Sequence, residues 1–178
     1  MNELSIRLVE ADDFAELFNV IERNRARLLT FFPETSQSIT SEETAARLIQ
    51  LKLKHIARKE QFYYVIQLPG RNEIIGLLIL KNINWNVPKG ELAYFIDGQY
   101  EGRGFITYAV KWLVNFAFNE LKMEKLFIKV NPQNWGSRKV AIKNGFEMEG
   151  LLRCEFRTGD GELTDVEQYG LVKSLYGG

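Results

Sequence analysis

The sequence predicts an α+β fold: a mixed, mostly antiparallel sheet of about seven strands flanked by about four helices. Three observations carry that expectation. Strand-like segments at 62–68, 74–84 and 91–97 follow one another through short turns, so they pair antiparallel. A long amphipathic segment separates the third of them from Lys125–Val130, and a strand–helix–strand crossover makes that pair parallel. The chain closes on a hairpin, 146–157 with 163–172, around Gly159-Asp160-Gly161.

Taken in order, Leu4–Val9 alternates apolar and polar residues as a half-buried strand does. Asp12 or Asp13 caps a helix with Phe14, Leu17, Phe18 and Ile21 on one face. A loop around Pro33 leads to Thr40-Ser-Glu-Glu43, which reads as a capping box. The helix it opens carries Ala45, Leu48, Ile49, Leu51 and Ile56 and ends near Lys59. Pro69-Gly70-Arg71-Asn72 is a turn by composition, and Ile74–Asn84 is expected to be buried on both faces. The helix from about Gly104 to Leu121 places Phe105, Tyr108, Ala109, Trp112, Leu113 and Phe116 on a buried stripe. Asn134 caps a short helix that stops at Asn144-Gly145, a left-handed terminal pair.

At 178 residues the chain is expected to be a single domain, 1–178. Hydrophobic content of 46% and charged content of 26% are those of a soluble globular protein. Lys+Arg and Asp+Glu balance at 23 each, so no overall field directs the protein to nucleic acid or an anionic membrane, and neither is an expected partner. With one cysteine (Cys154) and one histidine (His55), an intramolecular disulfide or a Cys/His metal centre is not expected. The opening Met-Asn-Glu-Leu-Ser-Ile-Arg lacks the apolar core of a signal peptide, and the longest apolar run, Ile74–Leu80, is too short to span a bilayer. A cytoplasmic protein is the expectation.

Gln99-Tyr-Glu-Gly-Arg-Gly104 lies between the 91–97 strand and the following helix. Such a turn points backbone N–H groups outward at a helix N-terminus, where the dipole favours an anion. Gly102 and Gly104 permit positive φ and close approach without a Cβ, and a phosphate or pyrophosphate is the natural guest. By itself Gly-x-Gly is equally compatible with a tight turn that binds nothing. It is not a Walker A loop, since no Gly-Lys-Ser/Thr follows, and Thr107 breaks the dinucleotide fingerprint.

The segment resembles Gln/Arg-x-x-Gly-x-Gly/Ala, the pyrophosphate-binding signature of the GCN5-related N-acetyltransferase (GNAT) superfamily. Around it, Asp97-x-x-Tyr100-x-Gly102-x-Gly104 with Thr107 is similar to the ribosomal-protein N-terminal acetyltransferase branch. So are Asn131-Pro-Gln-Asn134-Trp-Gly-Ser137, Asn144-Gly-Phe146, Glu149-Gly150, Asp160–Asp165 and Tyr169. Ile6-Arg-Leu8 and Asn24-Arg-Ala-Arg-Leu28 fit at the front, so the resemblance covers nearly the whole chain in order.

The resemblance implies the acyl-CoA N-acyltransferase fold, with its central parallel pair of strands splayed apart, and acetyl-CoA as co-substrate without a metal. Main chain at Phe95, Ile96 and Asp97 would pair with pantetheine. The N–H groups of Glu101, Gly102, Arg103, Gly104, Phe105 and Ile106, with the Thr107 hydroxyl, would cradle the pyrophosphate. Asn131 and Asn134 would lie near the thioester. Arg103, Arg138, Lys139 and Lys143 are candidates for the nucleotide phosphate, although a solvated helix face accounts for them equally well. Relatives of this branch are often dimers, which implies a homodimer here.

Acetyl transfer to an amine needs a proton removed from the amine, a donor for the oxyanion and an acid for the leaving thiolate; positioning supplies much of the rest. No protein nucleophile is required, so Cys154 is read as a small core residue. Ser137 is the candidate acid, the alternative being a first-turn serine bonded to local backbone. Glu155 matches, with a one-residue shift, a family glutamate that acts through water. Strand alternation groups it with the solvated Glu147, Glu149, Arg153 and Arg157, so only a bulge would turn it inward. Glu91, at the start of the cofactor strand, is the competing base, or else a strand-end surface carboxylate; Tyr94 is read as core. Phe31 and Phe32 either rim the acceptor pocket or cap the core. By branch resemblance the acceptor is a protein N-terminal α-amine. A polyamine or aminoglycoside would want an acidic pocket, for which Glu22, Glu34, Glu42 and Glu43 are available. A catalytically silent acyl-CoA-binding module is the reading from another class.

Overall fold

Among the described residues seven strands, β1 (Ser5–Leu8), β2 (Phe62–Gln67), β3 (Ile74–Asn84), β4 (Lys89–Ile96), β5 (Lys125–Val130), β6 (Glu147–Arg157) and β7 (Leu163–Val172), form one sheet in the order β1-β2-β3-β4-β5-β7-β6. The computed structural model describes residues 4–177; Met1–Glu3 of the opening segment and Gly178 lie outside the described residues. Every strand pair is antiparallel except β4–β5, which the helical crossover makes parallel. Among the described residues five α-helices cover the sheet: α1 (Phe14–Phe31), α2 (Pro33–Ser38), α3 (Glu42–Ala57), α4 (Phe105–Asn119) and α5 (Trp135–Lys143).

Apolar side chains divide between the two faces by strand parity. Leu78, Leu80, Leu92, Ile96, Leu126 and Ile128 pack with α4 and α5, whereas Tyr63, Val65, Leu77, Ile79 and Phe95 pack with α1 and α3. Strand β2 is therefore buried throughout, and β3 from Ile74 to Leu80, after which it alternates. No described helix is long and apolar enough to cross a membrane.

Several local expectations shift. Residues around Pro33 do not form a loop: α1 continues to Phe31, and Pro33 opens α2 at the position where its missing N–H costs nothing. The capping box of α3 is Ser41 with Thr44, not Thr40 with Glu43, because the Thr44 hydroxyl itself accepts from the Ser41 N–H at 2.9 Å. Leu51 is exposed. Helix α4 buries Ala109, Val110, Leu113, Val114 and Ala117, small and branched groups that permit close approach, together with Phe118, and leaves Tyr108 half exposed. Cys154 is exposed, in positive φ, at an irregularity of β6, and is not a core residue.

Two groups of contacts fix the parts that matter for the site. The closing hairpin docks on α1 through the Gly159 N–H and the Leu29 carbonyl (2.8 Å), and a Cβ on Gly159 would lie 2.7 Å from that same oxygen. One to two turns earlier on α1, three polar residues grip the turn after β4. Arg23 pairs with the buried Asp97, Asn24 Oδ1 accepts from the Gly98 N–H at 3.0 Å, and the Arg27 guanidinium donates to the Ile96 carbonyl and meets Glu101.

Burial opposes the charged form of Asp97, but the Arg23 guanidinium, the Gln99 N–H and the Asn24 side chain outweigh it and hold the carboxyl below its usual range. A depressed folded-state pKa stabilises fully above the unfolded value and is lost as pH falls through the folded one. Asp97→Asn is thus expected to destabilise the protein by about 1.5–3 kcal/mol at pH 7. In urea denaturation the gap from wild type narrows once the pH falls below about 4; a gap independent of pH would contradict the assignment.

Candidate active site

The β4–β5 ladder is short. It pairs Lys89 with Lys125, Gly90 with Leu126 and Glu91 with Phe127, and then the strands part. Strand β4 remains bonded to β3 and β5 to β7, so the gap opens in the middle of the sheet rather than at its rim. A cavity of about 830 Å³ runs through the gap and is lined from both faces.

On the α4–α5 side the cavity meets the glycine turn. Gly102 and Gly104 have φ of 73° and 79°, the positive values expected of them. Among the described residues the N–H groups of Gly102 through Thr107 donate to no protein acceptor, and the helical ladder begins only with the Tyr108 N–H on the Gly104 carbonyl (3.0 Å). That is a ready cradle for a multiply charged anion. The Glu101 N–H is turned instead toward the Gly98 carbonyl, and its carboxylate toward Arg27, so Glu101 leaves the expected set of donors.

Beside the cradle runs the open edge of β4. The Asp97 N–H bonds the Ile75 carbonyl at 2.7 Å, and antiparallel alternation then sends the main-chain groups of Phe95 to β3 as well. Of the three positions expected to meet pantetheine, only Ile96 lies on the open edge, with Tyr94 as its companion. Phe95 contributes its ring, edge-on to Phe32 at 5.6 Å. Asp97 is structural, through its bond to Arg23.

Helix α5 supplies the far wall. Asn134 caps it by accepting from the Ser137 N–H at 3.0 Å, and Asn131 Oδ1 accepts from the Gln133 N–H at 2.9 Å. Asn131, Asn134, Ser137, Lys139 and Lys143 all border the cavity. Two expected phosphate ligands do not. Arg138 is drawn away to Glu167 (2.9 Å) and the Tyr169 hydroxyl (3.3 Å), and stacks on Trp135; Arg103 folds back over Tyr100 onto the Gln99 carbonyl. Tyr94, read from sequence as core, lies in the cavity wall and donates to the Ser137 carbonyl at 3.2 Å, tying the open strand to α5. Burial raises its pKa well above the ordinary phenol value, so it remains a donor at neutral pH.

The opposite face carries the carboxylates. Glu91 is buried, not a surface carboxylate; it accepts from Asn82 Nδ2 at 2.8 Å and faces Lys81 Nζ at 3.6 Å. It sits at the last rung before β4 and β5 separate. Glu155 reaches the cavity by the route alternation forbade. Between Leu152 and Phe156 strand β6 spans four residues while β7 spans two, Val166 to Thr164, and this irregularity turns Glu155 in toward Lys129 Nζ (2.6 Å). Phe31 and Phe32 border this chamber from the α1–α2 junction. Of the four glutamates available for an acidic pocket only Glu34 lines it, and it shares the wall with Lys52, Lys81 and Lys129. The role of those lysines had no signal in the sequence, because each is separated from its cavity partners by fold rather than by a motif. Among the described residues no group of three or more His, Cys, Asp or Glu side chains converges as a metal site.

A protein family described as an acetyltransferase (GNAT) domain matches residues 3–147. YdaF of Bacillus subtilis (strain 168), named provisionally as a ribosomal N-acetyltransferase, is 30% identical over 178 residues, covering 98% of this chain and 94% of its own. A crystal structure of spermidine N-acetyltransferase from Vibrio cholerae, in complex with CoA and spermine, superposes with a TM-score of 0.83 at 25% identity, covering 99% of both chains. The ribosomal-protein-S5-alanine acetyltransferase of Vibrio fischeri shares the fold with a TM-score of 0.91 at 22% identity, over 100% of this chain and 97% of that one.

Proposed function

The chain belongs to the acetyltransferase (GNAT) domain family, and on that premise we propose that it transfers acetyl from acetyl-CoA directly to a protein N-terminal α-amine. N-acetyltransferase activity is common to the named relatives, whose acceptors differ. One observation carries the reading: the gap between β4 and β5 joins an anion cradle on one face to a chamber with paired carboxylates on the other. A donor seated along the open β4 edge would present its thioester where the two chambers meet, with the amine approaching from the Glu91 side.

The roles then follow from position. The N–H groups of Gly102–Thr107 hold the pyrophosphate, and the Ile96 N–H with Tyr94 main chain holds the amide arm as an added strand would. Glu91, fixed by Asn82 and Lys81, takes the proton of the amine directly or through water. Glu155, held by Lys129, orients the amine. Ser137, set by its bonds to Asn134 and Tyr94, returns a proton to the thiolate. The small-amine reading is less well supported, since Lys81 and Lys129 neutralise Glu91 and Glu155 and Lys52 shares the wall with Glu34, which leaves no excess of negative charge for a polycation.

Gly104→Val is expected to weaken CoA binding about tenfold or more by calorimetry. Its fold persists, because the strain of positive φ costs only about 1–2 kcal/mol. Glu91→Gln lowers kcat by about 100-fold or more while CoA affinity is unchanged, and Ser137→Ala gives a smaller loss of the same kind. A protein that binds CoA yet acetylates no peptide, polyamine or aminoglycoside would be a binding module instead.

A further inference from the structure

The acceptor-side chamber ends in donors without an acceptor. Tyr63 is fully buried, and its hydroxyl is the buried side-chain polar atom that finds no hydrogen-bond partner among the described residues. Thr35 is its polar neighbour, near enough to affect its ionisation without completing a bond. Lys52 Nζ lies 5.7 Å from the centre of the Tyr63 ring and donates to Gln61 Oε1 at 3.0 Å. Lysines 81 and 129 have carboxylates at 3.6 Å and 2.6 Å, but none of the described carboxylates comes within 4 Å of Lys52. Glu34, on the same rim, acts on it only at longer range, and Lys81 opposes that effect. Bonding to Lys52 occupies the oxygen of Gln61 and leaves its amide N–H groups as further donors.

An unpaired buried hydroxyl costs about 1–3 kcal/mol, and native proteins rarely tolerate one without a purpose. Here it stands beside a half-buried ammonium lacking a counter-ion, and both line the cavity that contains Glu91. Their shared demand is for a group with acceptor oxygens and negative charge. Building on the acetyltransferase reading above, we propose that the acceptor amine carries a carboxylate near the amine, and that Lys52, Gln61 and Tyr63 hold it. The carboxylate belongs either to an acidic residue next to a peptide's N-terminus or to a free amino acid. Either source would align the amine toward Glu91 by anchoring the acceptor at its other end.

The test measures CoA release by the full chain with acetyl-CoA and matched acceptors: Ser-Glu against Ser-Gln peptides, amino acids against their amides, and spermidine. In one of the two series the carboxylate acceptor is expected to exceed its amide about 10- to 100-fold in kcat/KM, mainly through KM. Lys52→Met removes that preference while CoA affinity is kept; Tyr63→Phe reduces it, and the exposed Lys54→Met leaves it intact. Peptide-only preference assigns the carboxylate to an acidic side chain, and preference among the free amino acids assigns it to the α-carboxyl. Turnover with no carboxylate preference, a preference that survives Lys52→Met, or spermidine as the best acceptor overturns the inference and leaves the acetyltransferase reading standing. If CoA binds and no amine at all is acetylated, the functional reading itself fails, and the inference with it.

Discussion

The parting of β4 from β5 after Glu91 and Phe127 is the constraint on which the rest of the structure depends. A gap in the middle of a sheet leaves main-chain N–H and C=O groups facing each other across empty width, and such groups are costly unless something pairs with them. The gap persists because each strand is secured on its outer side, β4 by the β3 ladder and β5 along its whole length by β7. It is held from above by α1, whose Arg23, Asn24 and Arg27 grip the chain where β4 turns into the glycine segment. The helix contributes to the site without a single catalytic candidate of its own, by fixing the strand end and the anion cradle as one rigid piece.

Because the gap passes through the sheet, strand parity sorts the chemistry. Tyr94, Ile96, Ile128 and Val130 face α4 and α5, where the cradle and the Ser137 helix lie. Glu91, Lys129 and Tyr63 face α1 and α3. Two reactants can therefore approach from opposite sides and meet only where the strands separate, an arrangement that gives positional catalysis with little covalent chemistry from the protein. The charges on the acceptor side obey the same economy of placement: Lys81 orients Glu91 and Lys129 orients Glu155 as ion pairs, and Lys52 is left over.

Residues far apart in sequence converge by specific local devices. The irregularity of β6 around Cys154 reverses the facing of Glu155, and the docking of Gly159 on Leu29 brings that hairpin over the acceptor chamber. Arg138 shows the converse. It sits beside Ser137 in a motif-rich helix, yet Glu167 and Tyr169 on β7 draw it out of the cavity.

The sequence by itself determined the order and type of the elements other than α2, the parallel pair, the positive-φ turn at Gly102 and Gly104, and the Asn134 cap with its Gly145 stop. All of these are decided by interactions within a few residues: hydrophobic period, capping oxygens and the conformational freedom of glycine. Glu91, Glu155 and Ser137 were legible as candidates, but not their surroundings. Tertiary structure alone decided that Tyr94 lines the cavity, that Phe95 and Asp97 turn their main chain to β3, and that Lys52 and Tyr63 face the Glu91 chamber with donors to spare. Those facts depend on which strand lies next to which and on a bulge that breaks alternation, and neither is encoded in any short stretch of chain.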